Sequence, residues 1–177
     1  TGGFVPSFTN AYSVAFDGTD DHATTSADDT LATKTYSFWA KSTDTTHNTK
    51  NAVFDHGGIN RGAFYFNWNN SRPLIYLNTT AYRYFNDVSA QDDGSWHHWV
   101  VLIDSDITAT KLFCDGSEVS VISTTSTGSG LSYLTGIRIG RGDSHYFDGN
   151  LDEFAIFDGD KTGIVSTLYN DGVPADL

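Results

Sequence analysis

Gly149-Asn150-Leu151-Asp152-Glu153-Phe154-Ala155-Ile156-Phe157-Asp158 is the stretch on which the fold turns. Leu151, Phe154, Ile156 and Phe157 leave too little polar surface for a segment lying open to water. The stretch therefore reads as a β-strand packed on a core, with two adjacent carboxylates to account for. It closes the fold, because the residues after it predict only a short helix near residues 161–170. Asp160 is its cap, Ile164, Val165 and Leu168 share one face, and Gly172 then Pro174 end it.

Working back from that strand, the chain is a run of short β segments punctuated by turns. Tyr12-Ser13-Val14-Ala15-Phe16 stops at Asp17-Gly18, and Tyr36-Ser37-Phe38-Trp39-Ala40-Lys41 alternates. Ala63-Phe64-Tyr65-Phe66-Asn67-Trp68 and Leu74-Ile75-Tyr76-Leu77 flank a tight polar connection, and Ala81-Tyr82-Arg83-Tyr84-Phe85 comes next. Trp96-His97-His98-Trp99-Val100-Val101-Leu102-Ile103 is the most hydrophobic segment and the predicted sheet centre, with Trp99 or Trp96 deeply buried. Lys111-Leu112-Phe113-Cys114 turns at Asp115-Gly116 and returns as Glu118 to Ile122, and Gly136-Ile137-Arg138-Ile139-Gly140 is one more strand. Roughly a dozen such segments with almost no helix predict two packed antiparallel sheets in one domain over residues 1–177, with 1–10 as a loose lead-in.

Composition excludes several classes. Ten Lys and Arg face 22 Asp and Glu, a net charge of −12, which repels a nucleic-acid backbone or an anionic membrane and favours cations. Glu occurs only at 118 and 153 and every other acid is Asp, a bias toward turns and oxygen-rich loops. Cys114 is alone, so no intrachain disulfide forms and a buried thiol is expected. No apolar run reaches transmembrane length and no basic-then-apolar leader is present, so membrane insertion is not expected. A chain that starts at Thr1 and has no Met reads as a domain excised from a longer protein.

The segments, taken in order, resemble a known family. Ser13-Val14-Ala15-Phe16-Asp17-Gly18, Tyr36 to Lys41, Gly94-Ser95-Trp96-His97-His98-Trp99, Lys111 to Gly116, Ile137-Arg138-Ile139-Gly140-Arg141 and Gly149 to Phe154 are similar to the successive signatures of laminin G-like and pentraxin-like domains. The ending Leu168-Tyr169-Asn170-Asp171-Gly172-Val173-Pro174 is similar to the family's tail. The resemblance implies a concanavalin A-like jelly-roll β-sandwich, all-β with one short C-terminal helix, that binds ligands in a concave groove or at its rim. It also implies a structural calcium between the first and last strands, carried here to Asp17, Asp152 and, less directly, Asp20. Carboxylates with turn carbonyls suit such a hard cation, and the competing reading is solvated turn acids. Asp143 and Asp148 around His145 form a second acidic group with the same two readings.

Tyr65, Trp68, Tyr76, Tyr82 and Tyr84 are the candidates for a sugar platform, because flat rings cover the apolar faces of pyranoses, with Asn67, Asn69 and Arg72 to bind hydroxyls. Core packing competes for each ring, and on a regular strand Tyr65 and Trp68 face opposite ways. His97-His98 cannot chelate one ion together for the same reason, and Arg141-Gly142-Asp143 reads as turn chemistry rather than an adhesion tripeptide. Retaining glucanases of this fold place acids two and four residues apart on one strand face, a pattern missing around Glu153. The expectation is a non-catalytic module for a glycan or cell-surface polysaccharide, at an extracellular, cell-surface or virion location. A spacer or decoration domain is the alternative, a degenerate polysaccharide hydrolase a remote one, and oligomeric state is left open.

Overall fold

The computed structural model describes residues 12–25, 33–42, 51–57, 61–69, 72–88, 93–126 and 136–173. Its strands are β1 (Val14–Asp17), β2 (Ala23–Thr24), β3 (Thr33–Ser42), β4 (Ala52–Asp55), β5 (Ala63–Asn69), β6 (Arg72–Asn78), β7 (Ala81–Phe85), β8 (His97–Asp104), β9 (Lys111–Cys114), β10 (Ser117–Glu118), β11 (Val121–Ser126), β12 (Arg138–Ile139), β13 (Arg141–Gly142), β14 (His145–Tyr146) and β15 (Asp148–Asp158). They form a six-stranded sheet, β1-β15-β3-β8-β9-β10, and a seven-stranded sheet, β11-β7-β6-β5-β4-β12-β2, with β13-β14 as a separate hairpin. The result is a jelly-roll β-sandwich.

The deciding stretch is β15, held between β1 and β3, and β8 is central to its sheet as its hydrophobicity predicts. Alternation fills the space between the sheets: Tyr36 and Phe38 of β3 and Trp99, Val101 and Ile103 of β8 meet Phe54, Phe64, Phe66, Ile75 and Leu77 from the other sheet. Phe38 packs its ring on Phe54, Phe64, Phe66 and Phe154. Trp99 is 2% exposed and Trp96 40%, so Trp99 is the core tryptophan. Where polar groups enter this layer they are paired, as in Tyr36 Oη to His56 Nε2 at 2.7 Å.

Two local expectations change. The hairpin at Asp115-Gly116 forms, both residues at positive φ as a two-residue turn requires, but its return strand is only Ser117–Glu118. The chain then crosses to the other sheet, where Val121–Ser126 pairs with β7. Near the C-terminus the helix is split into a 3-10 turn, Thr162–Ile164, and α1 (Val165–Tyr169). Asp160 accepts the Thr162 N–H at 2.8 Å as predicted. Val165 and Leu168 are buried, Ile164 is exposed, and left-handed Asn170 ends the helix before Gly172 is reached.

Candidate functional site

The outward face of the seven-stranded sheet carries a contiguous aromatic cluster. Tyr65 and Tyr76 are buried in it, and Trp68, Tyr82 and Tyr84 pack partly exposed against them. Ring centroids run Tyr65–Trp68 at 4.9 Å, Trp68–Tyr76 at 5.3 Å, Tyr76–Tyr82 at 5.3 Å and Tyr82–Tyr84 at 5.9 Å. On β7 plain alternation produces this: Tyr82 and Tyr84 face outward, and Arg83 between them turns the other way to donate to the Thr110 carbonyl. On β5 alternation fails. The register with β6 shifts between Tyr65 and Asn69, and this irregularity swings Trp68 onto the face that Tyr65 occupies. Both rings therefore lie on one face, against the regular-strand expectation.

Beside the cluster stands the β13-β14 hairpin, which leans on β4 and β5. Gly142 permits the approach, because a Cβ there would lie 2.8 Å from Tyr65 Oη and 3.0 Å from the Ala52 Cβ. His145 on the hairpin stands 6.1 Å from the Trp68 ring and 6.3 Å from the Tyr65 ring. Beneath it, fully buried Asp55 holds the Arg138 guanidinium through Nε at 2.6 Å and through Nη2, and accepts the Asp143 N–H at 2.9 Å. Burial, then the Asp55 and Asp143 carboxylates, pushes the Tyr65 phenol well up, and burial with Tyr84 and Tyr82 pushes Tyr76 to about 12. Both hydroxyls stay protonated at neutral pH and remain hydrogen-bond donors.

The expected platform thus divides. Tyr65 is 0% and Asn67 1% exposed, so these two support the site from beneath and offer a ligand no surface. Trp68, Tyr82 and Tyr84 keep exposed ring surface, Tyr76 lies among them, and Arg72 is exposed at the start of β6. Asn69 pairs with Arg72 at the β5-β6 connection. By sequence His145 is only the centre of an acidic group with Asp143 and Asp148, and its place beside the Trp68 and Tyr65 rings follows from the β13-β14 hairpin, which the sequence reading does not contain. Arg141 packs over the Tyr146 ring at 5.2 Å and donates to the Asp143 carbonyl at 3.0 Å, so Arg141-Gly142-Asp143 is a folded-back turn.

The acidic residues group differently from the expectation. β1 and β15 are neighbours as expected, but their register sets Asp17 opposite Asp148 and Val14 opposite Leu151. Asp152 therefore lies beyond the far end of β1 and does not join Asp17 and Asp20. Its carboxylate instead accepts the Glu153 N–H at 2.9 Å. Asp17, Asp20 and Asp21 bring carboxylate oxygens within 4.8 Å of one another, all exposed, and Asp148 packs beside Gly18 in the same turn. The Thr19 N–H, at 2.8 Å, holds the Asp17 carboxyl below the usual carboxylate range. His97, Cys114 and Asp115 also converge, yet His97 already meets Asp115 at 2.6 Å and Asp93 at 3.3 Å, and burial pushes the Cys114 thiol up, away from the thiolate a metal needs.

Comparison with known proteins places this geometry. The laminin G model of the concanavalin A-like lectin/glucanases superfamily matches residues 17–163. No curated sequence matches the chain significantly. Among solved structures, the chain is similar to a native heptameric SAP-like pentraxin from Limulus polyphemus, with TM-score 0.63 and 15% identity over 88% of this chain and 80% of that one. It is similar to the mouse laminin alpha1 chain domains LG4-5, with TM-score 0.60 and 12% identity over 83% of this chain and 43% of that one. It is also similar to botulinum neurotoxin type C, whose cell entry depends on two ganglioside molecules, with TM-score 0.55 and 15% identity over 79% of this chain and 36% of that one. The chain thus spans less than half of the laminin and neurotoxin chains.

Proposed function

The chain belongs to the concanavalin A-like lectin/glucanases superfamily, and on that premise we propose that it is a non-catalytic carbohydrate-binding and adhesion module of a larger extracellular, cell-surface or virion protein. The outward aromatic cluster carries the reading. A sandwich needs its rings between the sheets, and this chain places Trp68, Tyr82 and Tyr84 outside that layer and partly exposed. Protonated Tyr76 and exposed Arg72 supply donors to sugar hydroxyls at the same face. Ganglioside use by a neurotoxin of the same fold supports glycan binding in general and not the choice among glycans, because a ganglioside carries acidic sialic acid. Neutral glycans are the favoured class, because a net charge of −12 opposes acidic ones.

A glycan array probed with the wild type and with the Tyr82→Ala/Tyr84→Ala double variant tests it. The expected result is a defined set of glycans that the double variant no longer retains, with binding that also changes Trp68 fluorescence. An array that retains no glycan, or a double variant that binds like wild type, would leave the domain as a spacer.

Calcium is the second part of the proposal, held by Asp17, Asp20 and Asp21 with Asp148 beside them. Exposed carboxylates with turn carbonyls are the oxygen donors a hard cation takes, and a cation bound only by the folded chain stabilises it. Calcium should raise the melting temperature of chelator-treated protein beyond a matched sodium chloride control, and magnesium should do less. Asp17→Asn should abolish the shift and Asp152→Asn should keep it; the reverse pattern would return the site to Asp152.

A further inference from the structure

The two large sheets end in the edge strands β1, β10, β2 and β11, and the first three are blunted. β10 and β2 are two residues long, β10 ends on Glu118, and β2 follows Asp20 and Asp21. β1 is four residues long and runs into Asp17 and the acidic turn behind it. Shortness and charge keep an open row of backbone N–H and C=O groups from pairing with another chain. β11 has neither device. It is six residues long, and among the described residues its one strand neighbour is β7.

In a chain of net charge −12, no Lys, Arg, Asp, Glu or His occurs between Glu118 and Arg138. Val121, Ile122, Thr124 and Thr125 are β-branched and suit extended backbone, yet Val121 is 39% and Ile122 44% exposed. The strand is also held in place from behind. The Asn86 N–H donates to the Ser120 carbonyl at 2.9 Å, and Arg83 Nε donates to Thr124 Oγ1 at 3.0 Å. A bulge would blunt this edge too, but the register shift falls between Val121 and Ser123 and leaves Ser123–Ser126 in an unbroken ladder.

We propose that β11 is a self-association edge, and that its occupant is β11 of a second copy, antiparallel about a two-fold axis normal to the sheet. Charge selects the partner. Two copies of net charge −12 repel where their carboxylates meet, and the uncharged edge lets strands pair without bringing acids together. Each copy uses the same edge, so the assembly closes at two. Six residues a side bury less than the roughly 1,200 Å² of a stable interface, so the dimer is reversible. An antiparallel pair keeps both outward faces on one side, and Ser123 and Thr125 stand opposite Tyr84 and Tyr82. The two seven-stranded sheets thus become one surface, with the Tyr82-Tyr84 pairs of the copies three strand spacings, about 14 Å, apart. One glycan could then engage both copies. That last consequence alone rests on the glycan reading; the pairing does not.

Sedimentation equilibrium of the whole chain should show monomer and dimer exchanging with concentration. Ile122→Lys/Ser126→Lys, at two exposed positions, sets like charges against each other across the pair and should weaken the dimer at least tenfold. It does so although the added positive charges ease the general repulsion between copies. Ile122→Glu/Ser126→Glu should weaken it likewise, and an equimolar mixture of the two variants should dimerise again, a recovery that misfolded chains would not give. Tyr82→Ala/Tyr84→Ala should dimerise like wild type whether or not it has lost glycan binding. In the unmutated protein, isotope-filtered NOEs between labelled and unlabelled copies should connect residues 121–126 of one with 121–126 of the other. A chain monomeric up to millimolar concentration, a dimer that the Lys variant leaves intact, a mixture that stays monomeric, a dimer lost with Tyr82 and Tyr84, or NOEs elsewhere would each overturn the proposal.

Discussion

On the outward side of the six-stranded sheet, Val100 and Phe113 are covered by Val165 and Leu168 of α1, and Trp39 and His98 lie under Tyr169, with ring centroids 6.1 Å from it in both cases. On the outward side of the seven-stranded sheet, Trp68, Tyr82 and Tyr84 are left partly open, with only the β13-β14 hairpin standing beside them among the described residues. Both faces are rich in apolar and aromatic side chains. The chain spends its only described α-helix on one of them, and hydrophobic surface left uncovered on the other is the surface a ligand can use. Mutations on the covered face should therefore act on stability, and mutations on the open face on binding.

Leu168→Ala tests the covered side with the largest effect. It removes a buried side chain at the centre of the helix-to-sheet contact, and about 2–5 kcal/mol of unfolding free energy should be lost in a denaturant titration, with glycan binding at the opposite face unchanged. A loss below about 1 kcal/mol, the scale of an ordinary surface substitution, would mean that α1 only rests on the sheet and that the two faces are not distinguished by cover.

His98 sharpens the same contrast through pH. It is 2% exposed, its Nε2 lies 2.8 Å from Ser37 Oγ, and its Nδ1 has no hydrogen-bond partner. Desolvation lowers its pKa from 6.5 to about 4, opposed in part by the nearby Asp115 carboxylate. As pH falls through 6.5 the unfolded chain takes up a proton that the folded chain refuses until about 4. Stability fully present above 6.5 is therefore lost across that window, about 2 kcal/mol of it by pH 5. Urea midpoints measured from pH 7 to 5 should show this slope in the wild type and a flatter one in His98→Gln. An unchanged slope in the variant would assign the proton uptake to another group.

Much of this division was legible in the sequence, and the remainder has a physical cause. The sandwich, the β1-β15 neighbourhood, the central β8 and the capped C-terminal helix come from alternation and turn chemistry, which are local. The five aromatic candidates do come together on one face, because rings on three consecutive strands seldom scatter, with Tyr65 and Tyr76 buried and the other three partly exposed. The expectations that failed depended on register. A shift within β5 put Trp68 with Tyr65, the β1-β15 pairing set Asp148 and not Asp152 opposite Asp17, and the crossing after Glu118 carried Val121–Ser126 to the other sheet. A one-residue slip reverses a strand's faces, and no composition or periodicity within a single segment announces it.

The smallest stability effect belongs to the open face, and it discriminates most finely. Tyr84 is partly exposed, its ring meets Tyr82 at 5.9 Å, and it takes no part in the layer between the sheets. Replacing it with Ala removes an edge-to-face contact of about 0.5–1.5 kcal/mol and little buried area, so Tyr84→Ala should cost about 1 kcal/mol, well short of Leu168→Ala. Glycan affinity should nevertheless fall at least tenfold in that variant, because the lost ring is stacking surface that only the bound state uses. A residue kept for packing shows the opposite ratio, with a large loss of stability and no loss of affinity in the fraction that stays folded. Were Tyr84→Ala to cost as much as Leu168→Ala, the outward rings would be a second core that the hairpin completes, and the contrast between the two faces would disappear.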